Sequence, residues 1–181
     1  MACRFFSSCA STKESGPLED SVSVILPSLE NLRAEFGRNY TTNPYLAPGG
    51  SFIATANDYI VLRITVVTQA GVAFKFLDAE AKDDKGKLFA SYYNFRQFFD
   101  YVKGITLDVT GLGGLNNIRI GTLEQSYLPA DSMHIDHGKH SYIIVLLGKH
   151  PLPDDLTTTV LLSIDDKIQA FDISVPQASL N

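Results

Sequence analysis

The stretch Tyr59 to Glu80, YIVLRITVVTQAGVAFKFLDAE, restricts the possible folds of this chain more than any other. Ile60, Leu62, Ile64 and Val66 share one face of its first run, and Val72, Phe74 and Phe76 share one face of its second. A period of two in β-branched and aromatic residues marks strands with one buried face. Thr68-Gln69-Ala70-Gly71, between the runs, is polar and carries a glycine, so the spacing predicts a long antiparallel hairpin.

Other strand candidates surround it: Phe52–Ala56, Leu88–Ser91, Ile105–Val109, Asn117–Leu123, Ser141–Leu147, Thr157–Ile164 and Ile168–Val175. Asp83-Asp84-Lys85-Gly86 and Asp165-Asp166-Lys167 have the composition of hairpin turns, because Asp bonds its own backbone and Gly tolerates positive φ. Pro151 and Pro153 mark a loop that no central strand could hold. One segment is helical instead. Within residues 92–103, Phe95, Phe98, Phe99 and Val102 recur at i, i+3, i+4 and i+7. Ser91 or Asn94 can cap its start and Gly104 its end. Its apolar face is expected to lid one end of the core, leaving Tyr92, Tyr93 and Tyr101 partly exposed. Strands at this spacing with no βαβ alternation imply an all-β fold: an eight-stranded antiparallel jelly-roll sandwich over residues 51–181, with a short inserted helix.

Residues 1–50 are expected to form an N-terminal arm. Its first twenty or so residues are aperiodic, and Val22, Val24 and Leu26 then alternate as in an edge strand. Ser28 is suited to cap a short helix near 29–36, in which Leu29, Leu32 and Phe36 recur at helical spacing before Gly37. These six apolar residues are the candidates for docking, on the chain's own body or on a neighbour. Cys3 and Cys9, the only two cysteines, lie in this tail and are candidates for an interchain disulfide.

Charge excludes one class of partner. The formal net charge is −5, and the first 51 residues hold four basic and five acidic side chains. A nucleic-acid packaging arm is strongly basic, because it must displace counterions from phosphates. No direct nucleic-acid contact is therefore expected. The opening MACRFF has only Phe5-Phe6 as an apolar step, against roughly 7–15 residues in a secretory h-region, and no run approaches a membrane span. A soluble protein with no cofactor is expected.

The densest chemistry is Met133-His134-Ile135-Asp136-His137-Gly138-Lys139-His140, which holds three of the four histidines. His134, His137 and His140 are candidate metal ligands, since closely spaced imidazoles on a loop can close around one ion. Cupins carry G-x5-H-x-H-x3,4-E-x6-G. This segment is similar only in being His-rich; the H-x-H pair and the Glu are absent. Gly111-Leu-Gly-Gly-Leu115 lacks the Lys-Ser/Thr of a phosphate-binding loop. No G-x-S-x-G is present, and no enzymatic activity is expected.

In layout, residues 51–175 resemble the viral single jelly-roll capsid proteins, through strand count, inserted aromatic helix and arm. The near-neutral arm is similar to the coats of tailless, membrane-containing icosahedral bacteriophages. The resemblance implies a virion subunit that oligomerises with itself or another capsid subunit through arm and loops, near an internal viral membrane. Two other classes remain open: a carbohydrate- or ligand-binding β-sandwich that stacks sugars on Tyr92, Tyr93 and Tyr142, and a cupin-like metalloenzyme built on the three histidines.

Overall fold

A computed structural model describes residues 19–37, 43, 45–46, 59–101, 123–129, 131–148, 152–153 and 155–175. Eight strands are present among the described residues: β1 (Ser21–Ile25), β2 (Tyr59–Thr68), β3 (Val72–Lys82), β4 (Leu88–Tyr93), β5 (Met133–Ile135), β6 (Gly138–Gly148), β7 (Leu156–Ile164) and β8 (Lys167–Val175). They form one antiparallel sheet in the order β1-β2-β6-β4-β3-β7-β8, with β5 pairing beside β3. The order β7-β3-β4-β6 within this path is that of a Greek key, a fourth strand returning to lie beside the first. The sheet curls until its edge strands β1 and β8 approach within 8 Å between Cα atoms, a nearly closed all-β sandwich.

The expected hairpin over Tyr59–Glu80 is not one. Strand β2 pairs with β1 and β6, whereas β3 pairs with β4, β5 and β7. The turn between them carries the chain from one layer to the other, and Gly71 takes the left-handed conformation it requires (φ +84°). Burial gives the reason. Ile60, Leu62, Ile64 and Val66 share one core with Val72, Phe74 and Phe76, so the apolar faces of the two strands look at each other. Paired edge to edge, the strands would still need another layer over that face. Stacked, they cover each other, at roughly 1.5–3 kcal/mol for each fully buried large apolar side chain.

Strand β2 is buried on both faces at its start, from Tyr59 to Leu62, and its main partner is the equally apolar β6, paired from Tyr59↔Leu147 to Thr68↔Gly138. Beyond this pair of strands lies a second core. Leu32, Tyr45, Leu46, Tyr59, Val61 and Phe98 form it together with Tyr127 and with Ile143, Val145 and Leu147 of β6. Strand β3 changes parity at a bulge: Phe76 pairs with Leu162 and Asp78 with Leu161, leaving Leu77 unpaired. Val72, Phe74 and Phe76 before it, and Ala79 and Ala81 after it, therefore all face inward.

The local signals hold where they are described. Helix α1 spans Leu29–Phe36; Ser28 Oγ accepts from Asn31 N–H at 3.2 Å, and Gly37 ends the helix at φ 105°. Residues 95–101 are helical, a later start than expected because β4 continues to Tyr93 and incorporates Ser91. Asn94 caps this helix in a reciprocal pair, Gln97 N–H to Asn94 Oδ1 at 2.9 Å and Asn94 N–H to Gln97 Oε1 at 3.0 Å. The turn at Asp165-Asp166 has both central φ positive, 47° and 62°, the geometry of a tight two-residue hairpin. At Asp83, Oδ1 accepts from Lys85 N–H and Lys87 N–H. The expected strands 52–56 and 105–109 lie outside the described residues, as do residues 117–122 of the strand expected at 117–123. Leu123 itself opens a helical turn.

Candidate assembly surface

The six apolar residues of residues 1–50 are placed on the chain's own body. Strand β1 adds to β2 in register Ser21↔Val67 to Ile25↔Arg63, and Val22, Val24 and Leu26 pack on the main core. Leu32 is fully buried in the second core, with Leu29 and Phe36 against it. Glu35 of α1 pairs with Arg63 of β2. The C-terminal end of α1 is tied down by a residue that no sequence pattern singled out. Asn43 is 0 % exposed; its Nδ2 donates to Leu32 O at 2.9 Å and Gly37 O at 2.8 Å, and its Oδ1 accepts from Tyr45 N–H at 3.1 Å. Cys3 and Cys9 lie outside the described residues.

The three histidines do not converge. His134 sits on β5, 66 % exposed at its side chain, with Nε2 3.9 Å from Asp136 Oδ1. The His137 ring is 2.9 Å from Gln69 O, and the His140 ring is 3.1 Å from Asp136 O. Among the described residues no group of three His, Cys, Asp or Glu side chains is placed to hold a metal ion. His134 and His137 instead border the β2–β3 turn, while His140 pairs with Val66 inside β2. Asp20 accepts from Gln69 N–H at 2.6 Å, and a Cβ on Gly71 would lie 2.8 Å from His134 Nε2.

The tyrosines proposed for stacking sugars are largely structural. Tyr92 packs on Phe76 with ring centroids 4.4 Å apart, and Tyr93 and Tyr101 border the second core. Tyr45 OH bonds Ser126 Oγ at 3.0 Å, Tyr59 OH donates to Leu46 O at 2.8 Å, and Tyr127 OH donates to Tyr93 O and accepts from Val145 N–H at 3.2 Å. Burial pushes the phenols of Tyr45, Tyr59 and Tyr127 well above the ordinary value and that of Tyr92 up to about 12. Tyr142 is raised by the same cause. The phenols of Tyr45, Tyr59 and Tyr127 stay neutral at physiological pH and serve as hydrogen-bonding struts, whereas the Tyr92 hydroxyl is buried without a hydrogen-bond partner.

The two layers differ on their outsides. Beyond β2 and β6 the second core and α1 cover the sheet. The outside of β3, β7 and β8 is open to solvent. Its side chains form rows across the three strands: Lys75, Ser163 and Ile168; then Asp78, Leu161 and Ala170; then Glu80, Thr159 and Asp172. Ile168, at the start of the outer strand β8 in the Lys75 row, is 71 % exposed and Leu77, at the bulge of β3, 37 %, so apolar and charged groups are interspersed on the face. Thr159 Oγ1 donates to Asp172 Oδ1 at 2.6 Å, and Lys82 pairs with Glu80. The sequence already held the signal for this face, the odd-numbered outward positions of β7, but not the fact that no described element lies over it.

No family model matches the chain, and no match is found among curated proteins or solved structures. Among the described residues no helix is long and apolar enough to cross a membrane.

Proposed function

We propose that this chain is a structural subunit that assembles with copies of itself, and that its particle is a virion-type shell of the single jelly-roll kind its layout resembles. The observation that carries the reading is the difference between the two layers. One sheet face is sealed by helices and aromatic rings of the same chain, whereas the other presents Ile168, Leu77 and the half-buried Leu161 to solvent. An open sheet face that carries exposed apolar side chains fits a protein contact better than it fits solvent. The net charge of −5 supports a shell that leaves nucleic-acid neutralisation to other components.

Light scattering after size exclusion, run on the full chain with and without reductant, tests this reading. Assembly is expected to grow with concentration, and a reductant-sensitive fraction would place Cys3 or Cys9 between subunits. A strictly monomeric chain at every concentration overturns the proposal.

A further inference from the structure

Strand β1 and helix α1 are held on the sheet by attachments of unequal strength. Helix α1 is anchored from several sides: Leu32 is buried in the second core, Phe36 packs on Tyr45, Glu35 pairs with Arg63, and Asn43 donates to Leu32 O and Gly37 O. Strand β1 is hydrogen-bonded to β2 alone, over five residues. Its other edge comes within 8 Å of β8 between Cα atoms, yet no backbone pairing joins the two among the described residues. None of its side chains is fully buried: Ser21, Ser23 and Ile25 are exposed, and Val22 and Val24 are half-buried. A hydrogen bond latches its start, Gln69 N–H donating to Asp20 Oδ1 at 2.6 Å. Pro27, buried between β1 and α1, has no N–H to extend the ladder and separates the two attachments.

We infer that β1 is a strap that opens by itself, about the Leu26–Pro27 junction, while α1 stays docked. An edge strand with little buried area is the element that local opening releases first. Val24 stands opposite Ile64 and Val22 opposite Val66, two of the most deeply buried residues of the main core, so opening bares the flank of that core along the seam between β1 and β8. It also frees the edge of β2 from Arg63 to Val67, a row of N–H and C=O groups shaped to take a strand. The resident occupant of that edge is β1 itself, and the edge is available only in proportion to the open population. The strap is a property of the single chain and holds whether or not copies assemble.

Amide hydrogen exchange of the full chain, read residue by residue by NMR, tests this. Successive N–H groups of an antiparallel strand point to opposite sides, so those of β2 between Arg63 and Val67 alternate between β1 and β6. Opening of β1 alone therefore leaves a period-two pattern on β2: the amides bonded to β1 should exchange at least about a hundredfold faster than those bonded to β6. The amides of Leu32 and Gly37, bonded to Ser28 O and Arg33 O in α1, should exchange more slowly than those of β1. Asp20→Ala, at an exposed position, should speed the amides between β1 and β2 about fivefold, the loss of one hydrogen bond, and leave α1 and the amides facing β6 unchanged. Equal protection on both sides of β2, a common rate for β1 and α1 that Asp20→Ala raises in both, or no response of β1 to Asp20→Ala overturns the proposal.

Discussion

Replacing Asn43 tests how the chain N-terminal to β2 is held on the sheet. Its amide Nδ2 donates to Leu32 O inside α1 and to Gly37 O just past its end, at 2.9 and 2.8 Å. It also accepts from Tyr45 N–H, which anchors Tyr45 beneath Phe36 at a ring separation of 4.7 Å. Asn43→Ala removes all three bonds and leaves the buried Tyr45 N–H and the part-buried Gly37 O without this partner, while Leu32 O keeps its intrahelical bond. Each buried group left without a partner costs about 1–3 kcal/mol, so the loss should be about 3 kcal/mol. For a chain of this size that corresponds to a melting temperature about 6–12 °C lower. The chain has no tryptophan, so far-ultraviolet circular dichroism in a urea titration is the assay, reading the midpoint at constant m. Asn43→Asp should be at least as damaging at neutral pH, because it turns an acceptor toward two carbonyls. A loss below about 1 kcal/mol for Asn43→Ala, with m unchanged, would refute the clamp.

Thr158 is 0 % exposed and its Oγ1 has no hydrogen-bond partner, so Thr158→Val should be neutral or stabilise by about 1 kcal/mol in the same titration. A Cβ at Gly148 would lie 2.5 Å from Phe89 O, a backbone atom in a paired strand, whereas at Gly71 the nearest atom is the mobile end of His134. Gly148→Ala should therefore destabilise more than Gly71→Ala, whose cost of about 1–2 kcal/mol comes mainly from its positive φ; equal losses would contradict the packing around β4 and β6. Alkaline unfolding should be steep. The phenols of Tyr45, Tyr59 and Tyr127 bind their protons more tightly folded than unfolded, so stability is unaffected below about pH 10 and falls as pH rises through it. Together they predict a slope of about 4 kcal/mol per pH unit above that point, read from urea midpoints between about pH 9 and 11. A flat profile would mean that these hydroxyls are not buried.

Local chemistry was legible in advance wherever a few neighbouring residues decide it. The cap at Ser28, the end of α1 at Gly37, the turns at Asp83 and Asp165 and the period-two runs of β2, β3, β7 and β8 all depend on residues no more than a turn apart. The His-rich segment misled for the same reason. Closeness in sequence placed three imidazoles together, but β5 and the start of β6 direct them to different partners, Gln69 O for one and Asp136 O for another. Asn43 carried no signal, because its role depends on carbonyls 11 and 6 residues away that only the folded chain presents to it.

What the sequence determined by itself is the longer described strands, though not the short β5, and the faces they would bury: alternation and β-branching act within a strand, so they survive any arrangement of the whole. Only the tertiary structure decided that β2 and β3 stack instead of pairing, that β6 lies between β2 and β4, and that, among the described residues, one sheet face is covered while the other is not. An apolar strand face is satisfied equally well by any other apolar face, so the choice among partners belongs to the packing of the entire chain.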